Sequence, residues 1–134
     1  MLNHSIRLDL ERHERLGFDE AIYSESKSTA QLSALIGHAV ETGARRLFTR
    51  LSDRQFDALP ADRRRALDYD PVSRTAIYGA HALAYQDPRV AIVCAGSSDV
   101  GVGREAARTL GYYGHPSAWV ADVGVAGLWR LLEH

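Results

Sequence analysis

An α/β fold with a parallel sheet is predicted by two features of the 134-residue sequence. From Arg89 onward, short apolar runs alternate with helix-spaced segments and each run ends in a glycine-bearing turn, the β-α-β-α order of a doubly wound sheet. Upstream, a capped amphipathic segment leads into a short apolar strand, a further α-β step.

In chain order, residues 7 to 16 are highly charged, with Leu8, Leu10 and Leu16 as apolar anchors, and the segment after them reads as an ordered loop ending in a short strand. A helix starts at Ser28 or Thr29, where Ser28 and Gln31 have capping-box spacing. Leu32, Leu35, Ile36, Ala39 and Val40 share one helical face, and Gly43 is the stop. Arg45 to Arg50 reads as a strand. Ser52 and Gln55 repeat the capping signal for a short helix through Phe56 and Leu59, after which Pro60 to Arg65 opens another exposed turn, with Arg63-Arg64-Arg65 expected to be a solvated helix face set against a phosphate patch. Asp70-Pro71 marks a turn, Arg74 to Gly79 a strand, and residues 81 to 88 a connector. Val90 to Ala95 is a continuous apolar run, expected to be a central strand covered on both faces. Gly96-Ser97-Ser98-Asp99 closes that run, and Val100 to Leu110 forms a helix stopped by Gly111. Ser117 to Asp122 supplies the next strand and Gly124 to Leu132 a further helix.

Composition excludes several functions. Sixteen basic residues against 17 acidic ones leave a net charge of -1, which offers no global field to nucleic acid or an anionic membrane. The single cysteine, Cys94, rules out an internal disulfide or a cysteine zinc cluster. No apolar run approaches the roughly 20 residues of a membrane span, and the charged start is unlike a secretory h-region. The chain is therefore expected to be soluble and cytoplasmic. His4, His13, His38, His81, His115 and His134 show no metal-ligand spacing, so no resident metal site is expected from the residues.

The chemistry concentrates after the last two strands, because ligands of open α/β sheets sit at the carboxyl ends of strands. Gly96, Ser97 and Ser98 bring amides and hydroxyls to a helix N-terminus, a setting that suits phosphate. Asp99 in the same turn is a candidate to hold a sugar hydroxyl or move a substrate proton, although capping by Ser98 or Asp99 accounts for the turn as well. Asp122 opens a second loop, in which Gly124 and Gly127 allow close approach of a ligand or another backbone. Arg130 either reaches back to a phosphate or lies on the helix surface. Lys27 and Arg50, at the ends of N-terminal segments, are phosphate-ligand candidates set against the commoner solvated role. Cys94, inside the apolar run, reads as a buried and inert thiol.

The segment Val90 to Asp99, followed by Glu105-Ala106-Ala107 and by Asp122 to Leu132, resembles the LarB family, the pyridinium biscarboxylic acid mononucleotide synthases of nickel-pincer cofactor biosynthesis. Leu8 to Arg12, Arg15 to Tyr23, Ser26-Lys27-Ser28, Thr49-Arg50 and Ser73-Arg74 are similar to the same family's N-terminal region. The resemblance implies a smaller LarB-like α/β region over residues 1–88. Residues 89–134 would then be the first half of a flavodoxin-like, PurE-like layer, as in the aminoimidazole ribonucleotide carboxylases. It further implies a bound nucleotide, a pyridine dinucleotide or an AMP-like ligand, and carboxylase chemistry. In that chemistry a thiolate adds to the pyridinium ring of nicotinic acid adenine dinucleotide, the ring captures carbon dioxide, and the phosphoanhydride is cleaved to release AMP with the help of a divalent ion such as Mg2+. On this resemblance Asp99, Glu105 and Asp122 are the catalytic candidates. Lys27, Arg50, Arg74, Gly96, Ser97, Ser98, Gly124 and Arg130 are the nucleotide or phosphate ligands.

Two departures qualify the match. In the family the second loop precedes another half-domain carrying the reactive cysteine, and Cys94 does not correspond to it. Trp129 stands where the family has a histidine. The expectation is a nucleotide-binding half that acts as a homo-oligomer or with a partner chain supplying the rest. A non-catalytic binding, regulatory or interaction module on the same fold is the alternative.

Overall fold

The computed structural model describes residues 8, 9, 11–79 and 87–134; Leu10 and most of the expected connector lie outside the described residues. The chain forms two compact units, Met1–Ala80 and His81–His134, whereas the sequence reading divides it between residues 88 and 89.

In the first unit, α1 (Arg12–Leu16) ends at Gly17 with φ 78°. The strands β1 (Ile22–Tyr23), β2 (Arg46–Thr49), β3 (Asp68–Asp70) and β4 (Thr75–Tyr78) form a mixed sheet in the order β1-β2-β4-β3. β1 and β2 are parallel, while β4 runs antiparallel to both of its neighbours. The parallel pair needs a crossover, which is α2 (Thr29–Thr42). Its start is the expected capping box of Ser28 and Gln31, and its end is Gly43 at φ 66°. Leu32, Leu35 and Ile36 of α2 join Ile22, Phe48, Leu51, Leu59 and Ala76 in the buried core. Val40, expected on the same face, is exposed.

α3 (Asp53–Asp57) carries the second capping box, between Ser52 and Gln55. The run after Pro60, expected to open an exposed turn and to carry a helix face of arginines, forms α4 (Ala61–Arg65). Arg63 of this helix is half-buried against α2: a Cβ on Gly37 would stand 2.9 Å from its guanidinium. Asp70-Pro71 begins the β3–β4 hairpin turn, with Asp70 paired to Thr75. β3 itself was not expected; Tyr69 anchors it by stacking on Phe56 at a ring separation of 4.1 Å.

The second unit contains β5 (Val90–Val93) and β6 (Ser117–Val120), a parallel pair running in register from Val90↔Ser117 to Val93↔Val120. α5 (Val100–Tyr112) connects them, and α6 (Leu128–Leu132) follows. β5 is not covered on both faces as expected: Val90 is 41% and Val93 59% exposed. α5 packs on one face only, where Gly103 lies so close that a Cβ would be 2.5 Å from Cys94 Sγ and 2.7 Å from the Trp119 ring. The helix also runs through Gly111. It stops at Gly114, φ 86°, where the amides of His115 and Gly114 donate to the carbonyls of Leu110 at 2.9 Å and Gly111 at 3.0 Å. That pair of bonds is the Schellman ending, which needs a left-handed residue at Gly114 and not at Gly111. Among the described residues, no helix is long and apolar enough to cross a membrane.

Candidate functional site

The carboxyl ends of β5 and β6 bring the two predicted loops together through their backbones. Cys94 N–H donates to Val120 O at 2.9 Å, Val123 N–H to Cys94 O at 3.3 Å, and Gly124 N–H to Ala95 O at 2.8 Å. A Cβ on Gly124 would stand 2.8 Å from the Ala95 oxygen, so the loops can meet only at a residue without a side chain. Ser97–Asp99 makes one 3₁₀ turn leading into α5. Ser97 and Ser98 are exposed there. Asp99 Oδ2 accepts the Gly96 amide at 2.9 Å, so this carboxylate closes its own turn and occupies an N–H otherwise suited to a phosphate.

Asp122 adopts φ 59°, in the left-handed region, at the mouth of the second loop. Arg130 Nη1 lies 2.7 Å from Asp122 Oδ2. With the Asp122 side chain 58% exposed, such a pair contributes about 0–1 kcal/mol and orients both groups more than it stabilises them. Glu105 sits apart from the loops. It lies in the second turn of α5, about 9 Å of helical rise from Asp99, and its carbonyl accepts from Thr109 Oγ1 at 2.8 Å. Cys94 is 5% exposed and its Sγ lies 3.8 Å from the Asp99 carbonyl, as expected of an inert thiol. A cavity of about 370 Å³ in this unit is lined by Arg89, Val90, His115 and Pro116. It opens at the amino edge of the strands, opposite the loops.

The first unit holds a cavity of about 540 Å³ lined by Glu25, Thr29, Arg50, Ser52, Arg54 and Arg74. Arg50 follows β2 and Arg74 precedes β4. The antiparallel register that pairs Phe48 with Ala76 places the two arginines opposite each other two residues further on, and Leu51 N–H donates to Arg74 O at 2.8 Å. Both have left-handed backbones, φ 55° and 53°, a conformation costing about 1–2 kcal/mol per non-glycine residue. A buried polar cluster holds the turn behind Arg74. Ser73 Oγ and N–H both donate to Asp70 Oδ2, at 2.5 and 3.1 Å, and Ser73 Oγ is 2.8 Å from Thr75 Oγ1. On the other side, the Tyr23 hydroxyl donates to the Glu25 carboxylate. That bond raises the Tyr23 pKa, and the guanidinium charges of Arg50 and Arg74 oppose the rise.

Gln55 ties this cavity to the loop before α2. Its Nε2 donates to Ser24 O at 2.9 Å and to Lys27 O at 3.0 Å, while its Oε1 accepts from Ser52. Lys27 is thereby attached to the rim through its backbone. Of the predicted residues, Lys27, Arg50 and Arg74 gather in the first unit. Gly96, Ser97, Ser98, Asp99, Asp122, Gly124 and Arg130 gather in the second, with Glu105 outside both groups. Glu25, Thr29, Ser52 and Arg54 were not expected at a site. The one available signal was the Ser52/Gln55 capping box, which marks the helix start but not the tether. Among the described residues, no three His, Cys, Asp or Glu side chains are grouped to hold a metal ion.

Parallel strands whose carboxyl ends carry glycine-serine and aspartate-glycine loops in one unit, and a sheet ending in paired arginines in the other, define an α/β protein with its polar chemistry at strand termini. Residues 2–80 match the family model described as the LarB/PurE-like N-terminal domain, and the chain belongs to that family. No curated protein matches the chain significantly.

Proposed function

We propose that the chain is a nucleotide-binding protein of the LarB type, serving carboxylation and phosphoanhydride cleavage of nicotinic acid adenine dinucleotide. The observation that carries this reading is the backbone union of the two loops through Gly124 N–H and Ala95 O at 2.8 Å, at the edge where α/β sheets bind ligands. Ser97 and Ser98 are the phosphate donors there, because the Gly96 amide is engaged by Asp99. Asp99 acts by holding the turn's shape. Arg130 approaches a bound phosphate as a pair with Asp122, while within the first unit Arg50, Arg74 and Lys27 are phosphate ligands in their own right. Glu105, in the second turn of α5, is not used in this binding scheme.

A magnesium ion, which needs one or two carboxylates besides ligand phosphates, would use Asp99 or Asp122; the bonds described take one oxygen of each. When bound it would neutralise charge on the departing AMP. The family's covalent step requires an accessible thiolate, and buried Cys94 does not provide one.

Mass spectrometry after incubation with the dinucleotide and bicarbonate tests turnover, and thermal shift with AMP, nicotinate mononucleotide and the dinucleotide tests binding. Binding without carboxylated product is the expected result. No shift with any of the three would overturn the reading.

A second reading, an interaction module that associates with another copy of itself, is favoured by the exposed apolar side chains of the second unit. Val93 is 59%, Trp129 61% and Leu132 76% exposed, a concentration unusual on a lone surface. Sedimentation of a stable monomer at micromolar concentration would remove it.

A further inference from the structure

We propose that Arg50 and Arg74 form a two-armed clamp for a single phosphate group, built entirely within the first unit. The inference rests on the reading of these arginines as phosphate ligands. It adds that they make one self-contained site whose ligand is a dianionic phosphate and not a carboxylate.

Three observations support it. The first is charge: Arg50, Arg54 and Arg74 face Glu25 across one cavity, a local excess of two positive charges in a chain of net charge -1. A phosphate dianion balances that excess, whereas a monocarboxylate leaves half of it. The second is convergence. The two arginines occupy facing positions at the ends of antiparallel strands, are joined by the Leu51 N–H to Arg74 O bond of 2.8 Å, and line the same cavity. Planar guanidinium groups presented from two sides suit the several oxygens of a phosphate.

The third is the way each backbone is held. Left-handed φ values at two facing arginines persist only where surrounding structure over-determines them. Here the surrounding structure is visible: the Asp70–Ser73–Thr75 cluster, with all three residues buried, brackets Arg74. Glycine would occupy these positions with less strain, so the arginine side chains come at a conformational cost. Thr29 on the rim adds a hydroxyl suited to a remaining phosphate oxygen. Glu25, held by Tyr23, is placed to accept from a hydroxyl of a phosphorylated sugar.

The test is thermal shift and calorimetric titration of the full chain with inorganic pyrophosphate, AMP and, as the carboxylate probe, nicotinate. Arg74→Gly and Arg50→Gly are chosen because they relieve left-handed strain. Each should leave the ligand-free melting midpoint unchanged or raised while weakening AMP and pyrophosphate about ten- to a hundredfold. Arg74→Lys should restore part of the loss, nicotinate should give no shift, and Arg65→Ala on α4 should bind as the parent does. Wild-type affinity in Arg74→Gly, or a nicotinate shift equal to that of pyrophosphate, overturns the clamp. Loss of binding in Ser97→Ala/Ser98→Ala together with wild-type affinity in Arg74→Gly overturns the clamp and leaves the nucleotide reading standing. No shift of the parent protein with AMP or pyrophosphate overturns both.

Discussion

Gly124 and Ala95 meet backbone to backbone, with the Gly124 amide donating to the Ala95 carbonyl at 2.8 Å and no room between them for a methyl group. Gly124→Ala therefore forces a Cβ to within 2.8 Å of that oxygen, and backbone cannot swing aside as a side chain tip can. The expected outcome is a loss of about 1–3 kcal/mol of stability, seen as a lower melting midpoint. Weaker nucleotide binding should follow, since the two loops must separate to admit the methyl.

Gly103→Ala tests the packing of α5 on its sheet. Two effects compete. Alanine in a helix interior gains about 0.5–1 kcal/mol over glycine, but the new Cβ would lie 2.5 Å from Cys94 Sγ and 2.7 Å from the Trp119 ring, and overpacking of this kind costs about 1–3 kcal/mol. The steric cost should win. The control is Cys94→Ala in the same chain, which removes the nearest atom and should recover part of the loss. Equal midpoints for the parent and Gly103→Ala would show that α5 can shift freely on the sheet.

Ser52→Ala asks whether the second capping box does more than start a helix. Loss of a serine cap costs about 1 kcal/mol. Here Ser52 also donates its amide and hydroxyl to Gln55 Oε1, at 3.1 and 2.9 Å, and Gln55 holds the carbonyls of Ser24 and Lys27. Ser28→Ala removes a cap of the same kind, formed by Ser28 and Gln31, without the tether. A larger drop in midpoint for Ser52→Ala than for Ser28→Ala, with weaker AMP binding only in the former, is expected from thermal shift.

These cases separate what could be read along the chain from what could not. Ser28 with Gln31 and Ser52 with Gln55 were legible because a capping box is a local device, complete within four residues. The strands at Arg46–Thr49, Thr75–Tyr78 and Val90–Val93 were legible from apolar runs. β3 was not, because Asp68 and Asp70 are poor strand formers and the strand exists through its pairing with β4 and the stacking of Tyr69 on Phe56. The exposure of Val93 was hidden for the opposite reason: an apolar run signals a strand but does not say how many layers cover it. At the candidate sites, residue types were readable and partners were not. Asp99 and Asp122 stood out as carboxylates after strands, yet their engagement with the Gly96 amide and Arg130 depends on loop geometry. The facing of Arg50 and Arg74 depends on the register of β2 and β4, which no local pattern specifies.

Tyr69 gives the chain a sensitivity to alkaline pH whose sign can be worked out. Its hydroxyl is 3.0 Å from Leu51 O and 2.7 Å from Asp53 Oδ1. Burial first, then the bond to Asp53 and the charges of Asp53 and Asp57, raise its pKa well above the ordinary value of 10.0, with Arg74 opposing. The fold therefore favours the protonated form. That contribution is fully present below about pH 10, where the unfolded tyrosine also keeps its proton. Above pH 10 the unfolded chain releases the proton while the folded chain holds it, so stability falls as pH rises toward the folded pKa. The slope from one group is at most about 1.4 kcal/mol per pH unit, reduced here by solvent screening of a half-buried side chain. Tyr69→Phe keeps the stack on Phe56 and removes the titration. At pH 7 it should cost about 1 kcal/mol for the lost hydrogen bonds. Between pH 10 and 12 its melting midpoint should decline less steeply than that of the parent, so that the two curves converge. Parallel curves over that range would show that Tyr69 titrates alike in the folded and unfolded chains.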